Sequence, residues 1–389
     1  MTDAAHWSAP HDDTPADTAG EPSALAGGPP LRAATASQWR LIWWRFRRHR
    51  LAMAGLAVVL VLYAAALFAE FLAPFDPGST DRRGGFHPPQ MIHFEWSGGL
   101  PRPFVWETER TRDPVTLATT YARIEEKVPL AWFGRGDPYR LWGLIEWDRH
   151  LLAPVDPRQR FYLLGADRLG RDMLSRTIYG ARLSLSIGLV GVAFALALGV
   201  TLGGLAGYYG GWADTVISRI VEFVLSLPTI PVWLALAASL PPTWGIETRY
   251  FAITLIVSLV GWTELARVVR GRFLSLRHDD FVIAARLDGA SERRIIFRHM
   301  LPSLTSHIIA SVTLAVPLMI LAETALSFLG LGLMPPAISW GVLLKEAQDV
   351  RSIVQGPWLF VPGGAVVLTV LAFNFLGDGL RDAADPYGT

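Results

Sequence analysis

The reactive side chains of this sequence are few and badly spaced for covalent chemistry. Cysteine is absent, which removes disulfides, thiolate nucleophiles and thiolate metal ligands. Lysine occurs only at Lys127 and Lys345. A phosphate-cradling P-loop needs Gly-Lys-Ser/Thr. Neither lysine follows a glycine, so ATP hydrolysis by that route is excluded. A Gly-x-Ser-x-Gly nucleophile elbow is missing as well. His278, His299 and His307 stand too far apart for a tight metal site. No catalytic residue, metal ligand or cofactor is therefore assigned. A formal net charge of +1 provides no global field for nucleic acid.

Charge is instead spread unevenly along the chain. Residues 267–302 carry eight arginines between two apolar stretches. Asp279 or Asp280 suits the cap of a short helix through Val282, Ala284 and Ala285. Gly289 suits the left-handed position that ends it. Ser291 suits the cap of a second helix through Ile295, Ile296 and Met300. Leu301-Pro302 then stops that helix or opens the next, because proline is tolerated in a first turn. Small Ala284 and Ala285 leave room for another surface to approach. By itself this bracket fits an ordinary loop as well as a docking device.

The elements that must hold the bracket are apolar helices. A bilayer core of about 30 Å takes roughly 20 apolar residues in a helix. Residues 51–69, 183–206, 223–240, 251–265, 304–329 and 358–376 meet this, the third with Pro228 and Pro231 inside it. Gly and Ala are dense in several, which predicts a packed bundle. The basic, aromatic run at 38–50 predicts an interfacial amphipathic helix against membrane lipid, on the cytoplasmic side. Counting spans then puts 267–302 on that side too. Arg168, Arg171, Arg176 and Arg182 fall on the other side, against the rule. Residues 1–37 read as a disordered cytoplasmic tail, 51–75 as the first transmembrane helix, and 76–165 as an extracytoplasmic insert with five tryptophans and no assignable fold. Residues 166–389 carry the other five helices. Glu323 lies inside the fifth span, where an ionisable group is either functional or a hydrogen-bonding tie within the bundle. Arg219 with Glu222, and Glu264 with Arg267, are spaced as helical ion pairs.

Ala284-Ala285, then Gly289, Ala290 and Ser291, then Leu301-Pro302 resemble the EAA loop of ABC importer inner-membrane subunits. Ile283 stands where that family's Glu belongs, and His299 where Ile is usual. Arg298-His299-Met300-Leu301-Pro302 looks typical of the peptide-permease branch. Residues 164–182, 207–211, 326–332 and 376–382 are similar to dipeptide and oligopeptide permeases of the C-subunit type, with Ala166 replacing a usual Thr. The enlarged segment at 76–165 resembles the microcin C-type branch. The resemblance implies an all-α, type I ABC importer-like bundle of six transmembrane helices in the bacterial inner membrane, with both termini cytoplasmic. It implies a second homologous permease completing the path, two ABC ATPase subunits and an extracytoplasmic substrate-binding protein. Ala284, Ala285, Gly289, Ala290, Ser291, Leu301 and Pro302 would then be the ATPase-coupling residues, and peptide the cargo. The missing Glu argues against an ion pair to the ATPase through position 283. The same fold importing nickel or another small solute stays open. So does an ion-driven secondary transporter, for which Glu323 is the one decent candidate.

Overall fold

Charge-free apolar stretches become long helices, and small residues decide how those helices meet. The computed structural model describes residues 38–97, 100–112, 114 and 119–384. The expected tail at 1–37 lies outside the described residues. Helix α1 is Gln38–Phe46, and α2 is Arg50–Leu67, opened by the His49 ring accepting from Ala52 N–H at 3.2 Å. The short α3, Ala69–Leu72, follows.

The segment that sequence left without a fold is β structure, so the all-α expectation needs correcting, although helices remain the majority. Strands β1 His93–Ser97, β2 Leu100–Arg112, β3 Thr119–Trp132 and β6 Leu152–Pro154 form an antiparallel sheet in the order β1-β2-β3-β6. Strands β4 Arg135–Leu141 and β5 Ile145–Arg149 form a separate hairpin. Alternation explains the sheet: Val128 and Leu130 are buried while Lys127 and Pro129 are exposed. Val105 pairs with Val128 in register. Phe75, Val105, Val128, Leu130, Leu152 and Phe161 make a core separate from that of the bundle.

After it come α4 Met173–Tyr209, α5 Gly211–Ser226, α6 Thr229–Ala238 and α7 Ile246–Leu276. Then come α8 Asp280–Leu287, α9 Glu292–Phe328, α10 Trp340–Glu346, α11 Val350–Gln355 and α12 Val361–Ala384. Among the described residues, five helices are long and apolar enough to cross a membrane, or six if the pair α5–α6 is one span. That pair is bent by 87°. The bend has a local cause. Pro228 lacks an N–H and forces Leu227 to an extended ψ of 138°, so the apolar run at 223–240 cannot be one rod.

Helices α4 and α7 cross closely along Gly199, Gly203 and Gly207. A Cβ on Gly207 would sit 2.5 Å from the Phe273 Cβ, and one on Gly203 would collide with the Ala266 carbonyl. At the far end of α4 three of the four arginines that broke the charge rule are paired, while Arg168 stays exposed. Arg176, 2% exposed, donates to Asp167 at 2.6 Å and to Glu346 at 2.7 Å, and Arg171 bonds the same two carboxylates. Arg182 forks onto Glu70 at 2.8 and 2.6 Å and caps the Ala66 carbonyl at the end of α2. These side chains are fixed structural cations and not loop charge, which is why a simple count misreads them.

Asp172 opens α4, accepting from Ser175 N–H at 2.7 Å and Ser175 O–H at 2.6 Å. Burial pushes its carboxyl up to about 6 from 3.8, against those donors. The folded form thus holds the proton more tightly than the unfolded chain. The stabilisation is complete below pH 3.8 and is lost as pH rises through about 6. Asp172→Asn keeps the capping oxygen and removes this term. The melting temperature in detergent should therefore change less between pH 5 and pH 7.5 in the variant than in the parent (pH values chosen at about one unit or more either side of the shifted pKa). An equal change in both would contradict the assignment.

Candidate coupling site

The arginine-rich stretch folds as a bend against the bundle. Helix α7 stops when Arg277 N–H bonds the Phe273 carbonyl at 3.0 Å. Asp279 takes the extended cap conformation (φ −74°, ψ 146°) and α8 begins, but the Asp279 side chain makes no cap bond. Helix α8 ends in a two-bond lock. Gly289 N–H reaches the Arg286 carbonyl and Ala290 N–H reaches the Ala285 carbonyl, both at 3.0 Å. That closure needs a left-handed residue at Gly289, whose φ is +74°. Ser291 then holds an extended cap conformation (ψ 150°), again without a side-chain cap bond.

Leu301-Pro302 does not stop the second helix of the bracket. That helix is the first part of α9 and runs unbroken into the fifth apolar span. A π turn at Ile295–Met300 sits immediately before Pro302. Proline offers no N–H and its ring crowds the carbonyl four residues back, so a widened turn there relieves both. Residues Ala284 to Ser291 thus come together at the bend. Leu301 and Pro302 lie farther up α9, about 15 Å from Ser291 at 1.5 Å per residue.

The two faces of α8 differ sharply. Val282 is fully buried, and Ala285 is buried beside it. They join Ile295, Met300 and Leu304 of α9, Leu265, Val269 and Phe273 of α7, and Tyr208 of α4 in one cluster. Ala290 packs against that cluster. The bend is therefore welded to three long helices. Ala285 is small because it faces inward, whereas Ala284 stays on the open side. Phe281, Ile283 and Leu287 of α8 and Phe297 of α9 point outward, Leu287 being 84% exposed. Sequence reasoning named none of Phe281, Leu287 and Phe297. The signal was present: an eight-residue helix whose inner face needs only Val282 and Ala285 has apolar residues to spare. Around this face Arg286 lies 5.5 Å over the Tyr208 ring, and Tyr209 O–H donates to Glu292 at 2.9 Å. Arg270 forks onto Asp214 of α5, and Arg267 bonds Glu264 at 2.9 Å.

Glu323 lies elsewhere, fully buried in α9. It accepts from Ser327 and Ser339 at 2.8 Å and from Ser184 at 3.3 Å. Ser184 and Ser339 in turn accept from the Trp340 and Val342 N–H groups that open α10. The carboxyl thus ties α4, α9 and α10 together. Glu323→Leu should cost about 2 kcal/mol or more in unfolding, because three hydroxyls lose their acceptor. Glu323→Gln keeps an acceptor and should melt nearly as the parent does. A Gln variant that melts as low as Glu323→Leu would contradict this role as a tie.

Residues 199–387 match the family described as binding-protein-dependent transport system inner membrane component. Residues 37–89 match the N-terminal TM domain of oligopeptide transport permease C. The dipeptide transport system permease protein DppC of Bacillus subtilis is 33% identical over 346 residues, covering 88% of this chain and 84% of that protein. A putative peptide permease protein of Brucella ovis is 41% identical over 57% of this chain and 72% of its own length. The glutathione transport system permease protein GsiD of Pectobacterium atrosepticum is 33% identical over 90% of this chain and 91% of that one. Among solved structures, an inward-facing MetNI methionine ABC transporter is similar at 17% identity and a TM-score of 0.44, over 55% of this chain and 98% of that one.

Proposed function

This chain belongs to the peptide-permease branch of the binding-protein-dependent inner-membrane transport components, and from that premise we propose that it carries peptides across the membrane by moving with an external ATPase. It pairs with a second, homologous permease, and the path forms between them. Two ABC ATPase subunits sit on the cytoplasmic side, one of them receiving the α8–α9 bend in a cleft, and an extracytoplasmic substrate-binding protein delivers from the other side. Six spans, with α5–α6 as the third, put both termini and the bend in the cytoplasm and residues 76–165 outside. Covalent chemistry stays on the ATPases.

One observation carries this reading: α8 buries Val282 and Ala285 in a core shared with α4, α7 and α9 while presenting Phe281 and Leu287 outward. A surface that holds the outer face moves three helices together. When ATP closes the ATPase pair, the bend is dragged, α7 and α9 tilt, and access switches sides. Coupling equals the difference in affinity of the bend for the two ATPase states. The coupling residues are those read from sequence, Ala284, Ala285, Gly289, Ala290, Ser291, Leu301 and Pro302, joined by Phe281 and Leu287. Among them Ala285 acts from inside, by letting α8 lie close to the bundle.

The test is uptake by the chain reconstituted with its permease, ATPase and binding-protein partners. ATP-dependent accumulation of labelled dipeptide, unaffected by a protonophore, is the expected result. Accumulation of nickel in preference to peptide would overturn the cargo. Accumulation without ATP, driven by an ion gradient, would overturn the mechanism.

A further inference from the structure

The hairpin β4–β5 is only partly covered by the protein around it: Leu141 is buried, but much of its apolar surface is open. An isolated two-stranded hairpin is marginal in water and needs a surface to pack on. This one has a divided character. Glu146 and Asp148 point to one side and pair with Arg140 at 2.6 Å and Arg135 at 3.6 Å. Ile145 and Trp147 point to the other and stay exposed, as does Leu144 at the tip, 82% exposed.

The tip is held at a defined place. Trp142 donates its indole N–H to the Leu67 carbonyl at 2.8 Å, the last residue of α2. Its ring lies 5.7 Å from that of Phe68. Trp147 stacks on Phe71 at 6.4 Å, and Phe133 lies tilted against the same ring at 5.9 Å. Trp142 and Phe133 both take a φ of +54°, a backbone state that bulky residues rarely occupy. The fold thus retains strain at the two aromatics that fix the hairpin to the end of a membrane helix. Leu60, Val61 and Leu67 of α2 are exposed too, and Leu60 and Leu67, seven residues apart, share a face. The hairpin's tip lies just past the end of that helix, beside Leu67 and Phe68.

We propose that β4–β5 is a membrane anchor whose tip, with Trp142, Leu144, Ile145 and Trp147, rests in the headgroup and upper acyl region of the phospholipid leaflet beside Leu67. Indoles favour that layer, where one edge meets lipid and the N–H finds a polar partner. The inference rests only on α2 crossing the bilayer and is independent of cargo and ATPase.

Because the chain has no cysteine, single-cysteine variants of the full-length protein in phosphatidylcholine–phosphatidylglycerol vesicles can carry a nitroxide label at one known place. Leu144→Cys is compared with Leu60→Cys in α2 and with Glu126→Cys on exposed β3. The readout is the ratio of collisions with oxygen, which concentrates in lipid, to collisions with a water-soluble nickel chelate. The proposal expects Leu144→Cys to give a ratio several-fold above that of Glu126→Cys and below that of Leu60→Cys, which lies deeper in the span. A ratio equal to that of Glu126→Cys overturns it. Low collision rates with both reagents also overturn it, by assigning the patch to a protein partner. A water-like result at Leu60→Cys itself would remove the premise that α2 spans.

Discussion

Leu287→Asp is expected to abolish ATP-driven uptake while the chain still inserts, folds and melts as the parent does. The residue is 84% exposed and belongs to no buried cluster, so its replacement has little to disturb within this chain. Surface changes of that kind stay within about 0.5 kcal/mol of stability. Docking is different. An apolar anchor at the centre of an interface contributes about 2 kcal/mol or more, so its loss weakens binding roughly thirtyfold. A buried carboxylate without a partner adds to that loss. The measurement is ATPase co-purification and dipeptide uptake, set beside melting temperature. Normal uptake by a correctly folded Leu287→Asp protein would remove the outer face of α8 from the coupling path. Gly289 gives an independent handle on the same bend. A Cβ there meets nothing within 4 Å among the described residues, so Gly289→Val acts through φ, which costs about 1–2 kcal/mol in the left-handed region. Gly289→Asn tolerates that region better and should restore much of the lost uptake.

The second large effect is on stability. Gly203→Leu should prevent α4 and α7 from meeting, because even a Cβ collides with the Ala266 backbone. Backbone cannot move aside as a side-chain tip does, so the cost exceeds the usual overpacking of about 1–3 kcal/mol. Little monodisperse protein should survive gel filtration in detergent, and Gly203→Ala should show a smaller loss. The bend would fail with it, since Phe273, Val269 and Leu265 of α7 hold Val282 of α8 and Tyr208 of α4 in a single cluster. An unchanged melting temperature in Gly203→Leu would mean that the two helices do not cross there.

These effects sort by how far apart in sequence their causes lie. The bend was legible because its signals are local. Asp279, Gly289 and Ser291 announce the boundaries of α8 and α9, and each holds the backbone state its type favours. Pro228 was equally visible, but its consequence was not. One proline inside an apolar run does not reveal whether neighbours straighten the helix or let it turn through 87°. The β insert was hidden because its strands are punctuated by prolines at 101, 103, 129 and 138, which blur the period of two. Long-range pairs left no trace at all. Arg176 finds Glu346 across 170 residues, and Glu323 finds Ser184 across 139. Only the folded bundle explains why those arginines tolerate their position. The exposed Leu287 illustrates a further limit: periodicity shows that an apolar residue lies on a helix, not which side the rest of the chain will cover.

The most direct test of the bend as the point where motion enters uses a single cysteine at Leu287 in this otherwise cysteine-free chain. Assembled with its partners and treated with a short bifunctional crosslinker, Leu287→Cys should join to an ATPase subunit, with a yield that changes when ATP is bound. Joining to the extracytoplasmic binding protein, or labelling of intact cells from outside by a membrane-impermeant thiol reagent, would contradict the account.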